Sequence, residues 1–283
     1  MSNASPSFAL ALGAGGARGL AHVHVLRALD DLGVKPSILS GTSIGALIGA
    51  CYAASMSGDD ILALLMDRFG DRRAIATSLW ELRARSLDEL TGSGRLRIGE
   101  LDLERILRRL MPPGLPAHVE DLNIATHIVA TRYFQHDDAI FSSGPLIPAL
   151  AASAAMAAVF HPVIIDGIVH IDGGATNPVP IDPLQGKASL IIGVDVSGGP
   201  EGQEGQPPGK VDALSGANQL MQRTIIREKI RHLQCDLLLQ PKVGNWQVLD
   251  FMRTDEVLKS SAPLYEEAKA RIGALLDTHI ASH

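Results

Sequence analysis

Two short apolar runs, each followed by glycines and then by a helical spacing, open the chain and restrict its fold more than anything after them. The first is Phe8–Leu12, five apolar residues that stop at Gly13. Gly15, Gly16 and Gly19 punctuate the loop that follows. Leu20, Val23, Leu26, Ala28 and Leu29 then recur at helical spacing through Leu32. After a turn at Gly33, Val34–Ser40 reads as a second strand and Ile44–Ala54 as a helix with a small-residue face. An apolar run without polar alternation belongs to a strand buried on both sides. The order strand, helix, strand, helix predicts an α/β fold: a mainly parallel central sheet with helices on both faces.

The rest of the chain continues this plan with one interruption. Residues around 59–120 are charged and mostly helical, with an irregular patch at Thr91–Arg97 and an amphipathic run at Gly99–Leu110 that Pro112-Pro113-Gly114 ends. This segment reads as a helical excursion from the sheet and a candidate cap over a site. Asn123–Thr131 and Asp138–Phe141 form an expected hairpin, followed by a helix at Leu146–Ala155. Val163–Ile165 and Ile168–Ile171 bracket Asp166-Gly167, a second hairpin signal. Leu190–Val196 is a strongly apolar strand and Ser197–Lys210 a Gly/Pro/Gln-rich loop expected to be mobile. Val211–His232, Asp236–Gln240 and Thr254–Leu276 read as helix, strand and terminal helix. With no repeat and no linker, 1–283 is expected to be one domain.

Composition excludes several classes of function. Hydrophobic residues make up 46% of the 283, but aromatics only 4%, so the core should be aliphatic and closely packed. Lys and Arg number 25 against 31 Asp and Glu, a net charge of −6, which argues against nucleic-acid binding. No metal-ligand spacing stands out, and no cofactor is expected. Cys51 and Cys235 lie in apolar stretches and are expected to be buried thiols of a reducing compartment. No secretory leader is visible. No apolar run reaches the ~20 residues that span a bilayer; Ala149–Phe160 comes nearest. A cytoplasmic protein is expected, and such a chain can still touch a membrane surface.

One hydroxyl stands out for chemistry. Gly41-x-Ser43-x-Gly45 falls where the second strand should turn into a helix, the setting of a nucleophile elbow. Glycines on either side let the chain bend and a substrate approach, and the helix end favours developing negative charge. A tight structural turn would use the same residues. The earlier loop, Gly13 to Gly19, fails the G-x-G-x-x-G dinucleotide fingerprint by one residue in either register. It keeps unobstructed backbone N–H groups beside a helix and could form an oxyanion hole. A serine nucleophile needs a base. His22 and His24 sit two apart on a helix and read as surface or core residues. His161, His170 and Asp172 remain candidates, although Asp172-Gly173-Gly174 also suits an ordinary turn.

Taken in order, the loop 13–19 running into "LAHVHVLRALDDLG", then "GTSIGA" at 41–46 and "DGG" at 172–174, resemble the bacterial patatin-like phospholipases. "VFHPV" at 159–163, "NPVP" at 177–180 and "MQRTIIREKI" at 221–230 extend the likeness, which is weakest over 59–120. The resemblance implies a three-layer α/β/α fold. It also implies a serine acyl hydrolase with a Ser–Asp dyad and no triad histidine, acting on lipid acyl esters. Carried over by position, Ser43 is the nucleophile, Asp172 the base, Gly15 and Gly16 the oxyanion donors and Arg18 the loop arginine of that hole. Gly13, Gly19, Gly41, Gly45, Gly173 and Gly174 are the motif glycines. Ala14 departs from the family by replacing a glycine, and Ala157-Ala158 by replacing Pro-Gly. The small walls Ala46, Leu47, Ala151, Ala152, Ala154 and Ala155 suit an acyl chain and equally suit core packing. A small-ester or thioester hydrolase, an acyltransferase, or a non-catalytic protein binding an anion or nucleotide at the two helix ends are the rival expectations.

Overall fold

The structure is a computed structural model that describes residues 7–69, 103–157, 159–202 and 205–281. Eight strands form one sheet: β1 (Phe8–Leu12), β2 (Ile38–Thr42), β3 (Ala125–Arg132), β4 (Asp137–Phe141), β5 (Val163–Ile165), β6 (Ile168–Asp172), β7 (Leu190–Val194) and β8 (Leu237–Leu239). Their order is β5-β6-β3-β2-β1-β7-β8, with β4 also paired to β3. The run from β3 to β8 is parallel throughout, while β4, β5 and β6 pair antiparallel. This is the mainly parallel sheet that the βαβα opening predicts.

Both faces of the sheet are covered. Phe8, Leu10 and Leu12 join a core built with α1 (His22–Asp31), α2 (Ile44–Ala53), α3 (Gly58–Phe69), α7 (Thr254–Ser261) and α8 (Pro263–Ala281). Their neighbours Ala9 and Ala11 point the other way, onto Val179, Ile181, Leu184 and Ile226 of α6 (Lys210–His232). Alternate residues of one strand thus feed two cores, which is why β1 has no polar position. A third apolar cluster joins α2, α4 (Leu103–Leu110) and α5 (Leu146–Ala154) to β3 through Ala46, Ala50, Leu107, Leu150 and Ile128.

Three local expectations need correction. The second strand is not Val34–Ser40. It begins at Ile38 and runs through Gly41 and Thr42, because the parallel pairing with β3 continues to Val129. The expected terminal helix over Thr254–Leu276 is two helices. Pro263 cannot donate into a helical ladder, so α7 stops at Ser261 and a new helix starts at the proline. Cys51 is buried and its thiol is pushed up to about 12 by burial, but Cys235 is only half-buried. Of the excursion around 59–120, α3 and α4 are helical. The patch Thr91–Arg97 and the start of the Gly99–Leu110 run lie outside the described residues, as does Ala158.

Candidate active site

The pairing along β3 explains how two distant segments meet. Residues 128–132 of β3 pair with β4 along one edge. On the other edge Thr42 of β2 lies opposite Val129 and Asp172 of β6 lies opposite Ala130. The two strands run toward each other along that edge and end at neighbouring positions. The next residue of β2 is Ser43, and its Oγ donates to Asp172 Oδ2 at 2.5 Å. These residues are 129 apart in sequence.

Ser43 turns from strand to helix with φ 56° and ψ −125°. A non-glycine residue in this region costs about 1–3 kcal/mol and persists only where its surroundings enforce it. The surroundings here are tight. A Cβ on Gly41 would lie 2.6 Å from Ala46 Cα, and one on Gly45 would overlap the carbonyl oxygen of Leu12. The glycines let α2 press against the ends of β1 and β2, and the bend falls on the serine. Ser43 is 8% exposed.

Asp172 is held at four points. Its N–H donates to the Ala155 carbonyl at 3.0 Å and its carbonyl accepts from Thr131 Oγ1 at 3.0 Å. Oδ1 accepts the Gly174 N–H at 2.7 Å and Oδ2 accepts the Ser43 hydroxyl. Burial raises the carboxyl to about 6, outweighing the opposite pull of the Ser43 and Gly174 hydrogen bonds. Gly173 has no room for a side chain, since a Cβ there would overlap the Val129 carbonyl oxygen.

The glycine loop divides its N–H groups. Gly13 donates to Val194, Ala14 to Pro178 at 2.8 Å and Ala17 to Val248. Gly15 and Gly16 have no such carbonyl partner among the described residues. They sit at the start of a 3-10 turn over Gly16–Ala21, with Gly16 at φ 56°. Ala14 keeps its N–H bonded and is absent from the positive-φ residues, so the alanine in place of glycine fits. Gly19 is a packing glycine, because a Cβ there would overlap Ile44.

Arg18, within the Gly16–Ala21 turn, is 2% exposed. Its Nε donates to the Gly15 carbonyl at 3.2 Å, so its recorded contact is a buttress for the loop. Burial lowers the guanidinium to about 10 against the attraction of Asp195. His22 is fully buried, bonds through Nε2 to the Gly13 carbonyl at 2.8 Å and is lowered to about 4 by burial. His24 likewise bonds the Leu258 carbonyl. His170 is buried and packs on Phe141. The partner that Ser43 Oγ receives is the carboxylate. Ala46, Ala151, Ala152, Ala154 and Ala155 are buried in the third cluster, with Leu47 partly buried against it, so they are core.

Sequence reasoning missed the supports of this site. Gln222 of α6 donates to the Gly174 carbonyl at 3.2 Å, Asn177 bonds both Asp138 and Asp182, and Val248 holds the loop at Ala17. Ser153 accepts the Ser43 N–H at 2.9 Å. It is the lone polar residue in an alanine-rich helix, and that contrast was a usable signal.

A family model described as patatin-like phospholipase matches residues 10–184. An uncharacterized NTE family protein of Mycobacterium tuberculosis is 35% identical over 202 residues, covering 71% of this chain and 52% of that protein. A patatin-like phospholipase domain-containing protein of Caenorhabditis elegans is 34% identical over 195 residues, covering 66% of this chain and 13% of its own length. A lysophospholipase of Aspergillus fumigatus is 29% identical over 188 residues, covering 66% of this chain and 12% of its own length. The chain therefore spans about half the length of the mycobacterial relative. Among solved structures, VipD from Legionella pneumophila matches with a TM-score of 0.50 at 14% identity, over 98% of this chain and 67% of that one, a likeness of fold alone.

Proposed function

The chain belongs to the patatin-like phospholipase family, and from that premise we propose that residues 1–283 act as one serine acyl-ester hydrolase unit on lipid esters. The observation that carries the reading is the 2.5 Å hydrogen bond from a strained, nearly buried Ser43 to Asp172. The lipid substrate rests on the family and on the lysophospholipase among the relatives, since the alanine walls are packed core. Contact with a lipid surface and a cytoplasmic location belong to the same proposal. No helix of the described residues is long and apolar enough to cross a membrane.

In this mechanism the Asp172 carboxylate accepts the Ser43 proton as Oγ bonds to the ester carbonyl carbon. The oxyanion so formed is met by the Gly15 and Gly16 N–H groups and by the positive end of α2. Asp172 returns the proton to the alcohol oxygen as the ester C–O bond breaks, leaving an acyl-Ser43. Water then attacks, giving its proton to Asp172, and the fatty acid leaves as Ser43 regains its hydrogen. A carboxyl raised to about 6 is a stronger base than an ordinary aspartate and is still mostly ionised at neutral pH.

Intact mass after fluorophosphonate treatment tests the reading. One adduct is expected on the wild type and none on Ser43→Ala. Asp172→Asn should lower ester hydrolysis by roughly 10⁴, as amidation of a triad aspartate does. Wild-type turnover by Asp172→Asn would rule out the dyad. Activity that falls steadily with acyl length would point to a small-ester hydrolase.

A further inference from the structure

The end of helix α5 holds both members of the candidate dyad by their backbones. Ser153, fully buried in its last turn, accepts the Ser43 N–H at 2.9 Å. The same hydroxyl donates to the Val129 carbonyl at 2.6 Å. Val129 is the residue opposite Thr42 in the parallel ladder, so one side-chain hydroxyl joins the two strands where the chain leaves the sheet for the elbow. Two residues on, the Ala155 carbonyl accepts the Asp172 N–H at 3.0 Å. Val129 O also borders Gly173, the residue after the base. A single helix end therefore fixes where Ser43 and Asp172 lie relative to each other.

We propose that Ser153 is a positioning residue that holds Ser43 at its positive φ and so sets the Ser43–Asp172 contact. The inference rests on the dyad reading above. It also assigns the Ser43 N–H: that donor is spent on Ser153 and does not face an oxyanion, which leaves the hole to other N–H groups. No contact of Ser153 with substrate is needed. Ser153→Ala replaces the hydroxyl by hydrogen, which removes the only hydrogen bond recorded for the Ser43 N–H among the described residues and adds no bulk. The backbone of Ser43 can then relax toward ordinary φ, which swings Oγ away from the carboxylate. Misplacement by about 1 Å costs on the order of 100-fold in rate.

The test compares wild type, Ser153→Ala and Ser153→Thr with a soluble short-chain p-nitrophenyl ester across pH 5–8. Ser153→Ala should lose 10- to 100-fold in kcat, by that same misplacement argument, with KM changed less than about 3-fold. Its acid limb should move to higher pH, because the Ser43 hydrogen bond that helps ionise Asp172 is weakened. Ser153→Thr keeps a hydroxyl and should regain most of the rate. A Ser153→Ala enzyme with unchanged kcat and unchanged limb would overturn the proposal. So would a loss of kcat that tracks only a lower Tm and is not restored by threonine. Failure of the dyad itself reads differently: Asp172→Asn would then turn over like the wild type. If no ester is hydrolysed, the crystal structure of Ser153→Ala decides, and Ser43 Oγ still bonded to Asp172 there overturns the assignment.

Discussion

Ser43 and Asp172 are shaped by opposite demands. In the proposed mechanism the serine must be held in a backbone conformation it would not choose, and the aspartate must stay partly desolvated yet ionised. The second demand sets a measurable pH dependence. Burial raises the Asp172 carboxyl to about 6, so the ionised carboxylate that the proposed mechanism uses as its base is scarce below that pH. We expect kcat/KM for a soluble ester to rise with pH through about 6 and to level off above 7. The pH–rate profile of the wild type checks this, and a limb near 4 would mean that the base is an ordinary solvated carboxylate. Arg18 belongs to the same scale. The resemblance implies a part in the oxyanion hole, and its Nε donates to the Gly15 carbonyl, on the other side of the peptide whose Gly16 N–H the proposed mechanism uses.

At the scale of elements, the site is made by helices pressing on strand ends. The first turn of α2 lies against Leu12 and Gly13 so closely that Gly45 has no space for a Cβ, which would overlap the Leu12 carbonyl oxygen. The obstructing atoms are backbone and cannot rotate away. Gly45→Ala should therefore cost at least about 1–3 kcal/mol, the range for overpacking, and should displace the elbow and abolish labelling of Ser43. Gly49→Ala, one turn on, meets the flexible end of Leu39 at 2.7 Å and should cost less. Urea unfolding of the two variants, with fluorophosphonate labelling of each, checks the difference. Equal destabilisation by both would mean that α2 is free to shift as a whole.

For the whole molecule, the histidines held below their usual range decide the response to acid. His22 is lowered to about 4, and His24, His127 and His170 are lowered as well, chiefly by burial. An unfolded histidine takes up its proton near 6.5. Between that pH and the folded value the unfolded chain binds more protons, so the stability these groups contribute is full above 6.5 and is lost as pH falls below it, for His22 down to about 4. Asp172 acts in the other direction, because its raised folded value favours the native state as pH falls from about 6. One carboxyl opposes four imidazoles. The urea midpoint should drop between pH 7 and pH 4.5 with little change in slope, and His22→Gln should shrink the drop. A midpoint that holds steady over this interval would show that the histidines are not neutral in the folded state.

The legible part of this protein was local. Phe8–Leu12 announced a doubly buried strand because five apolar residues in a row leave no face for water, and the structure feeds them into two cores. Ser43 between Gly41 and Gly45 announced a sharp strand-to-helix turn because small neighbours are what such a bend requires, and the turn is there. The break at Pro263 was equally local and could have been read from the proline alone. What sequence could not decide is which distant groups meet. Whether His161, His170 or Asp172 faces Ser43 depends on β2 and β6 ending head to head on one edge of β3, a matter of sheet register across 129 residues. The Ser153 hydroxyl lies 110 residues from the N–H it accepts, and the buttressing of the glycine loop comes from Val194, Pro178 and Val248. Periodicity and steric permission act between neighbours in the chain, so composition and spacing determined the layers and the elbow. Hydrogen bonds act through space, so only the tertiary structure decided the contact that makes the serine a candidate nucleophile.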